Sequence, residues 1–117
     1  MTTFTKHLLS GSTNGLAILV TGTATPGTLI HTAIAGTADY DEVWLQAVNS
    51  SAATVKLTIE WGEATAPNGN IEGSIPFESG LYVVVAGNLL QNGKEIRAFA
   101  GTANVLCIHG FVNRITA

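Results

Sequence analysis

Between Val55 and Trp61 the chain alternates, with Val55, Leu57, Ile59 and Trp61 on one side and Lys56, Thr58 and Glu60 on the other. That period of two marks a strand with one face buried. The stretch from Val43 to Val48 is a second strand, and "NSSAA" between them makes the pair read as a hairpin. In this first strand Val43, Leu45 and Ala47 share one face, while Trp44 and Val48 lie on the other. A strand apolar on both faces fits a sheet whose outside packs on a partner.

Further short runs rich in Val, Ile, Leu and aromatic residues surround this pair: "GLAILVTG", "TLIHTAI", "IEGSIP", "LYVVVA", "EIRAFA" and "NVLCIHGFVNRI". Gly, Pro, Asn, Ser and Thr separate them. "TPGT" at 25–28, "APNGN" at 66–70 and "QNGK" at 91–94 carry turn chemistry, the last two through Asn-Gly. No run has a helical period of useful length. About eight antiparallel strands in one domain predict an all-β fold. The expectation is a single antiparallel β-sandwich of jelly-roll type, with a small closed β-barrel as the alternative. Residues 16–117 form this domain; residues 1–15 are an N-terminal arm or a first strand, with "GSTNG" as a hinge.

Composition narrows the function classes. With 117 residues the chain has the length of one domain, able to bury about two-thirds of its unfolded surface. Charged residues make up only 11%, against roughly 25% in an average soluble domain, so the surface is mostly neutral. Five basic and eight acidic residues give a net charge of -3 without a basic cluster, which argues against nucleic acid as a partner. The longest apolar runs fall far short of the ~20 residues that cross a bilayer as a helix, so no membrane is expected either. One cysteine and no signal-peptide pattern at the start point to synthesis in a cytoplasm.

Candidate chemistry is sparse. Cys107 and His109 are two apart in a predicted strand and share a face, but His7 and His31 are the only other imidazoles and no HxxxH spacing accompanies them. The pair reads as a buried thiol and a hydrogen-bonded histidine, with no metal and no cofactor. The "GS" fragments at 11–12 and 73–74 lack the G-x-S-x-G elbow of a nucleophile and read as turn serines. Asp39, Asp41 and Glu42 lack the calcium-loop pattern and read as a solvated loop before a strand. Trp61 lies on the apolar face of its strand and reads as core. Trp44 points opposite to Val43 and Leu45 and is a candidate interface aromatic. In the N-terminal segment Phe4, Leu8 and Leu9 are apolar contacts for a partner, with Lys6 and His7 at the rim. No constellation calls for an enzyme. Poorly guarded β-surface predicts self-association as a dimer or trimer.

Three stretches, "FTKHLLSGSTNG", "IHTAIAGTADYDEVWLQAVNSSAATVKLTIEWG" and "VLCIHGFVNRIT", resemble small virion proteins of tailed bacteriophages, of the capsid decoration or cement type. The resemblance spans most of the chain and lies in overall texture rather than in one motif. It implies a β-sandwich on the capsid exterior, made in the bacterial host cytoplasm. Such a protein binds the major capsid protein on the outer surface of the mature head and stabilises contacts between its subunits. A head–tail connector or tail component is the rival reading within the virion, and a carbohydrate-binding β-sandwich module the rival outside it.

Overall fold

The computed structural model describes residues 2–117; Met1, the first residue of the segment 1–15, lies outside them. Nine strands are present among the described residues: β1 (Thr3–Leu8), β2 (Ile18–Leu19), β3 (Thr28–Thr32), β4 (Tyr40–Asn49), β5 (Val55–Trp61), β6 (Asn70–Ile75), β7 (Tyr82–Leu90), β8 (Glu95–Ala100) and β9 (Leu106–Thr116). There is no helix among the described residues. The front sheet has the order β1-β9-β4-β7, with β2 also on β9, and the back sheet runs β3-β8-β5-β6.

The pairing is nested. β2 pairs with β9, β3 with β8, β4 with β7 and β5 with β6, all antiparallel. One long hairpin of paired strands has therefore been rolled into two sheets, closed by β4 on β9 and β5 on β8. That is the jelly-roll sandwich, and the two separate sheets are not a closed barrel. β1 is added outside the roll, on the half of β9 that β2 leaves free.

The core is the sum of the alternations. Val43, Leu45 and Ala47 of β4 and Ile108 and Val112 of β9 face Leu57, Ile59, Ile96 and Ala98 of the back sheet, all of them buried. Leu9, Ile18 and Val20 close the core from the connection around β2.

Two sequence expectations are corrected here. The predicted hairpin from Val43 to Trp61 is two strands of different sheets, and "NSSAA" crosses from front to back. Asn49 shapes that crossing: its Nδ2 donates to the carbonyls of Ala53 and Ile75, and its Oδ1 accepts from the Ser51 N–H and hydroxyl. Alternation fixes which face of each strand is buried but not which strand lies beside it. "QNGK" turns the chain as expected, with Asn92 at φ 62° and Gly93 at φ 67°, the left-handed pair such a turn requires, and it joins β7 to β8 in the other sheet. Secondly, the polar face of β5 is open to water only at Lys56, because Thr58 and Glu60 are buried. The segment 21–27 crosses over them, and Glu60 accepts from the Thr25 hydroxyl and the Gly27 N–H.

Candidate docking face

The outer face of the front sheet collects every second residue of its long strands. Tyr40, Glu42, Trp44, Gln46 and Val48 of β4 lie beside Ile115, Asn113, Phe111, His109 and Cys107 of β9, and all are partly exposed. At its centre the Trp44 and Phe111 rings stack, 6.3 Å apart and 10° from parallel. Glu42 fixes the indole by accepting from Trp44 Nε1 at 2.8 Å and from Asn113 Nδ2 at 3.0 Å. These two hydrogen bonds hold the Glu42 carboxyl below its ordinary range, so it remains an anion at neutral pH.

β1 extends this face. Its residues Phe4, Lys6 and Leu8 stand opposite Ile115, Asn113 and Phe111, and Lys6 Nζ lies 5.2 Å from the Phe111 ring centre, a cation–π distance. Phe4 is 68% and Leu8 56% exposed. On the far side Val83 and Leu89 of β7 are also more than half exposed, opposite Gln46 and Glu42. The result is a strip of aromatic and aliphatic side chains with few charges. A shallow hollow beside Tyr40, Leu89 and Lys94 continues it.

The residues singled out in the sequence divide here. Phe4, Lys6, Leu8 and Trp44 come together on this face. His7 points from the other side of β1, and Leu9 is in the core at 2% exposure. Phe111, Asn113, Val83 and Leu89 were not singled out. The spacing of Cys107, His109 and Phe111 in steps of two is the signal that places Phe111 on that face. Cys107 is half-buried on it, not a core thiol, because β4 and β9 carry no third layer outside them.

Behind this face lies a buried polar network that joins the sheets. His31 of β3 and Asp41 of β4 are 1% and 0% exposed and meet at 2.8 Å, Nε2 to Oδ2. Arg114 of β9 donates to both Asp41 oxygens, at 2.8 and 3.1 Å. Asp41 is therefore not part of a solvated loop; Arg114, 73 positions away, brings it a partly buried partner. Burial pushes its carboxyl up, but the hydrogen bonds from Arg114 and His31 outweigh this and hold it below its ordinary value. Burial lowers the His31 pKa against the pull of Asp41. The neutral form agrees with the geometry, since His31 Nδ1 accepts the Ser10 main-chain N–H at 3.0 Å.

The Ser10 hydroxyl also lies 3.2 Å from His31 Nδ1, a serine–histidine–aspartate chain on paper. The lone pair a general base would use already accepts the Ser10 N–H, and Ser10 Oγ accepts from the Thr32 N–H at 2.6 Å. The arrangement ties the chain after β1 to β3, and β3 to β4 and β9. Comparison with protein-family models, with curated proteins and with solved structures finds no match to this chain.

Proposed function

We propose that this protein is a non-enzymatic capsid decoration protein of a tailed bacteriophage, seated by its front face on the outer surface of the mature head across contacts between major capsid subunits. The observation that carries the reading is the strip around Trp44 and Phe111, with Phe4, Leu8, Val83 and Leu89 more exposed around it. Aromatic residues in a lightly charged patch are what the buried centre of a protein interface is made of. The three stretches that resemble decoration proteins include β1, β4 and β9, which are neighbours in the front sheet and build this strip.

The mechanism is linkage. A protein that binds the expanded lattice and not its precursor stabilises the lattice by its binding free energy at every site. A rigid sandwich suits this, because a face preorganised by sheet pairing loses little entropy on docking. The test is stoichiometry in purified particles of the phage that encodes the chain, measured against the major capsid protein. Hundreds of copies per particle, and particles that open at lower temperature when the protein is deleted, are expected. A handful of copies would assign it to the connector or tail, and absence from particles would overturn the reading.

A further inference from the structure

A sandwich with two open sheets has four edges, and three of them are guarded. β7 is broken by register shifts after Val43 and after Leu45 of its partner β4, with Gly87 at φ 81° as the extra residue of the first and Val84 of the second. The outer side of β3 is already bonded: Gly11 donates its N–H to the Ile30 carbonyl at 2.9 Å, and the Thr32 N–H goes to Ser10 Oγ. β6 carries the exposed charge of Glu72, paired with Lys56 at 3.4 Å. Bulges, covering chain and charge are the ordinary protections of a sheet edge.

β1 has none of them. All six residues are exposed, its register with β9 is unbroken from Thr3 to Leu8, and it contains no proline. Its one fixed charge, Lys6, is folded back over the Phe111 ring and away from the edge. Main-chain directions follow from β9, where the Val105 carbonyl accepts from Ser50 on the β4 side and the Leu106 carbonyl from Val20 on the β2 side. Alternate residues of a strand face opposite neighbours. Even-numbered residues of β9 therefore face β1 and bond Thr3, Thr5 and His7, while Phe4, Lys6 and Leu8 turn their N–H and C=O groups outward.

We propose that this edge pairs antiparallel with the β1 edge of a second copy, about a two-fold axis at Thr5. In that register Phe4 of each copy lies opposite Lys6 of the other, and Thr3 opposite His7. The outward groups of Phe4 and Lys6 form the new ladder. A two-fold at Lys6 sets two like charges face to face, which a sheet disfavours, and one at Phe4 shortens the ladder. The axis is perpendicular to the sheet, so two five-stranded sheets become one continuous sheet with both Trp44–Phe111 strips on the same side. The pairing does not depend on what that side docks against; whatever it is, two linked faces bind it with greater avidity.

Thr5 is bonded to β9, so the Thr5 pair across the axis is of the non-hydrogen-bonded kind, with Cα atoms about 4.5 Å apart, a separation a disulfide spans. The experiment uses the full chain with Cys107→Ser and one added cysteine. Thr5→Cys should give a covalent dimer on mild oxidation, while Thr3→Cys and His7→Cys, each facing the other position, should form little covalent dimer. Sedimentation of the unsubstituted chain should show a reversible dimer, and Lys6→Pro, which removes an outward donor but no bond to β9, should shift it to monomer. A chain that sediments as a monomer at every concentration, or equal cross-linking from positions 3, 5 and 7, overturns the proposal. So does an edge filled in the particle by a strand of another protein.

Discussion

The two sheets of this molecule treat their outer faces in opposite ways. The back sheet covers the middle of its own: the segment 21–27 lies across β5, Glu60 receives Thr25 and Gly27, and Thr58 and Glu60 are as buried as the core. On the front sheet, Trp44, Phe111, Phe4 and Leu8 remain partly or largely open. The covered face is polar and the open one is aromatic, which inverts the usual rule of apolar inside and polar outside. A polar strand face that takes a loop needs hydrogen-bond partners, and the loop supplies them. An apolar face left open is, on the function proposed above, area for another protein.

Perturbing each part separates these roles, and the largest effect belongs to what the sheets share. Asp41→Ala should cost about 3 kcal/mol of folding stability, near the low end for breaking a buried ion pair, since Arg114 keeps 25% of its side chain in water while Asp41 keeps none. Urea unfolding measures it, and a loss below about 1 kcal/mol would mean the bridge does not hold the sheets together. The same cluster sets the acid limit. His31 has a lowered pKa in the fold, so the unfolded chain takes up its proton first; its contribution is fully present above about pH 6.5 and declines as pH falls below that. Asp41, also lowered, loses its contribution at still lower pH, below the ordinary carboxylate value. The urea midpoint should be level from pH 7 to 9 and fall from about 6.5 downward; a midpoint that rises on acidification would contradict this.

Glu60→Ala comes next, at about 2 kcal/mol, less than two hydrogen bonds to a charged group would sum to, because the mostly exposed segment 21–26 can turn its freed donors to water. Its signature is local, with faster amide exchange in residues 21–27 and at Thr58 but an unchanged front face. Uniform loss of protection would show that the cover is not a separable unit. The smallest effect on folding should come from Trp44→Leu, about 1 kcal/mol for the lost stack on Phe111. On particle binding the order should reverse. Trp44→Leu should weaken attachment by more than about tenfold, as hot-spot aromatics do, while Glu60→Ala binds normally. Equal attachment of both variants would remove the front face from the docking reading.

Much of this layout was legible in the chain. Alternation in β4 and β5 identified the buried faces, and the position of Trp44 opposite Val43 and Leu45 placed it outside. Local chemistry also marked the turns, as at Asn92 and Gly93. Illegible were contacts between distant positions. Nothing near Asp41 announces Arg114, so an acidic cluster read as solvated. Nothing near Glu60 announces Gly27, so a polar face read as exposed. Leu9 was grouped with Phe4 and Leu8 by apolar character, and only the bend after β1 sends it into the core.

The sequence by itself determined that the protein is all-β, which residues of each strand lie together, and how lightly its surface is charged, because these depend on side-chain type and a period of two along the backbone. Tertiary structure decided which strands are neighbours, and with that which face was covered, which carboxylates were buried and which edge was left open. Strand pairing is made by main-chain groups that every residue carries alike, so the choice of partner is settled only when the sheets pack and their faces and edges are sorted together.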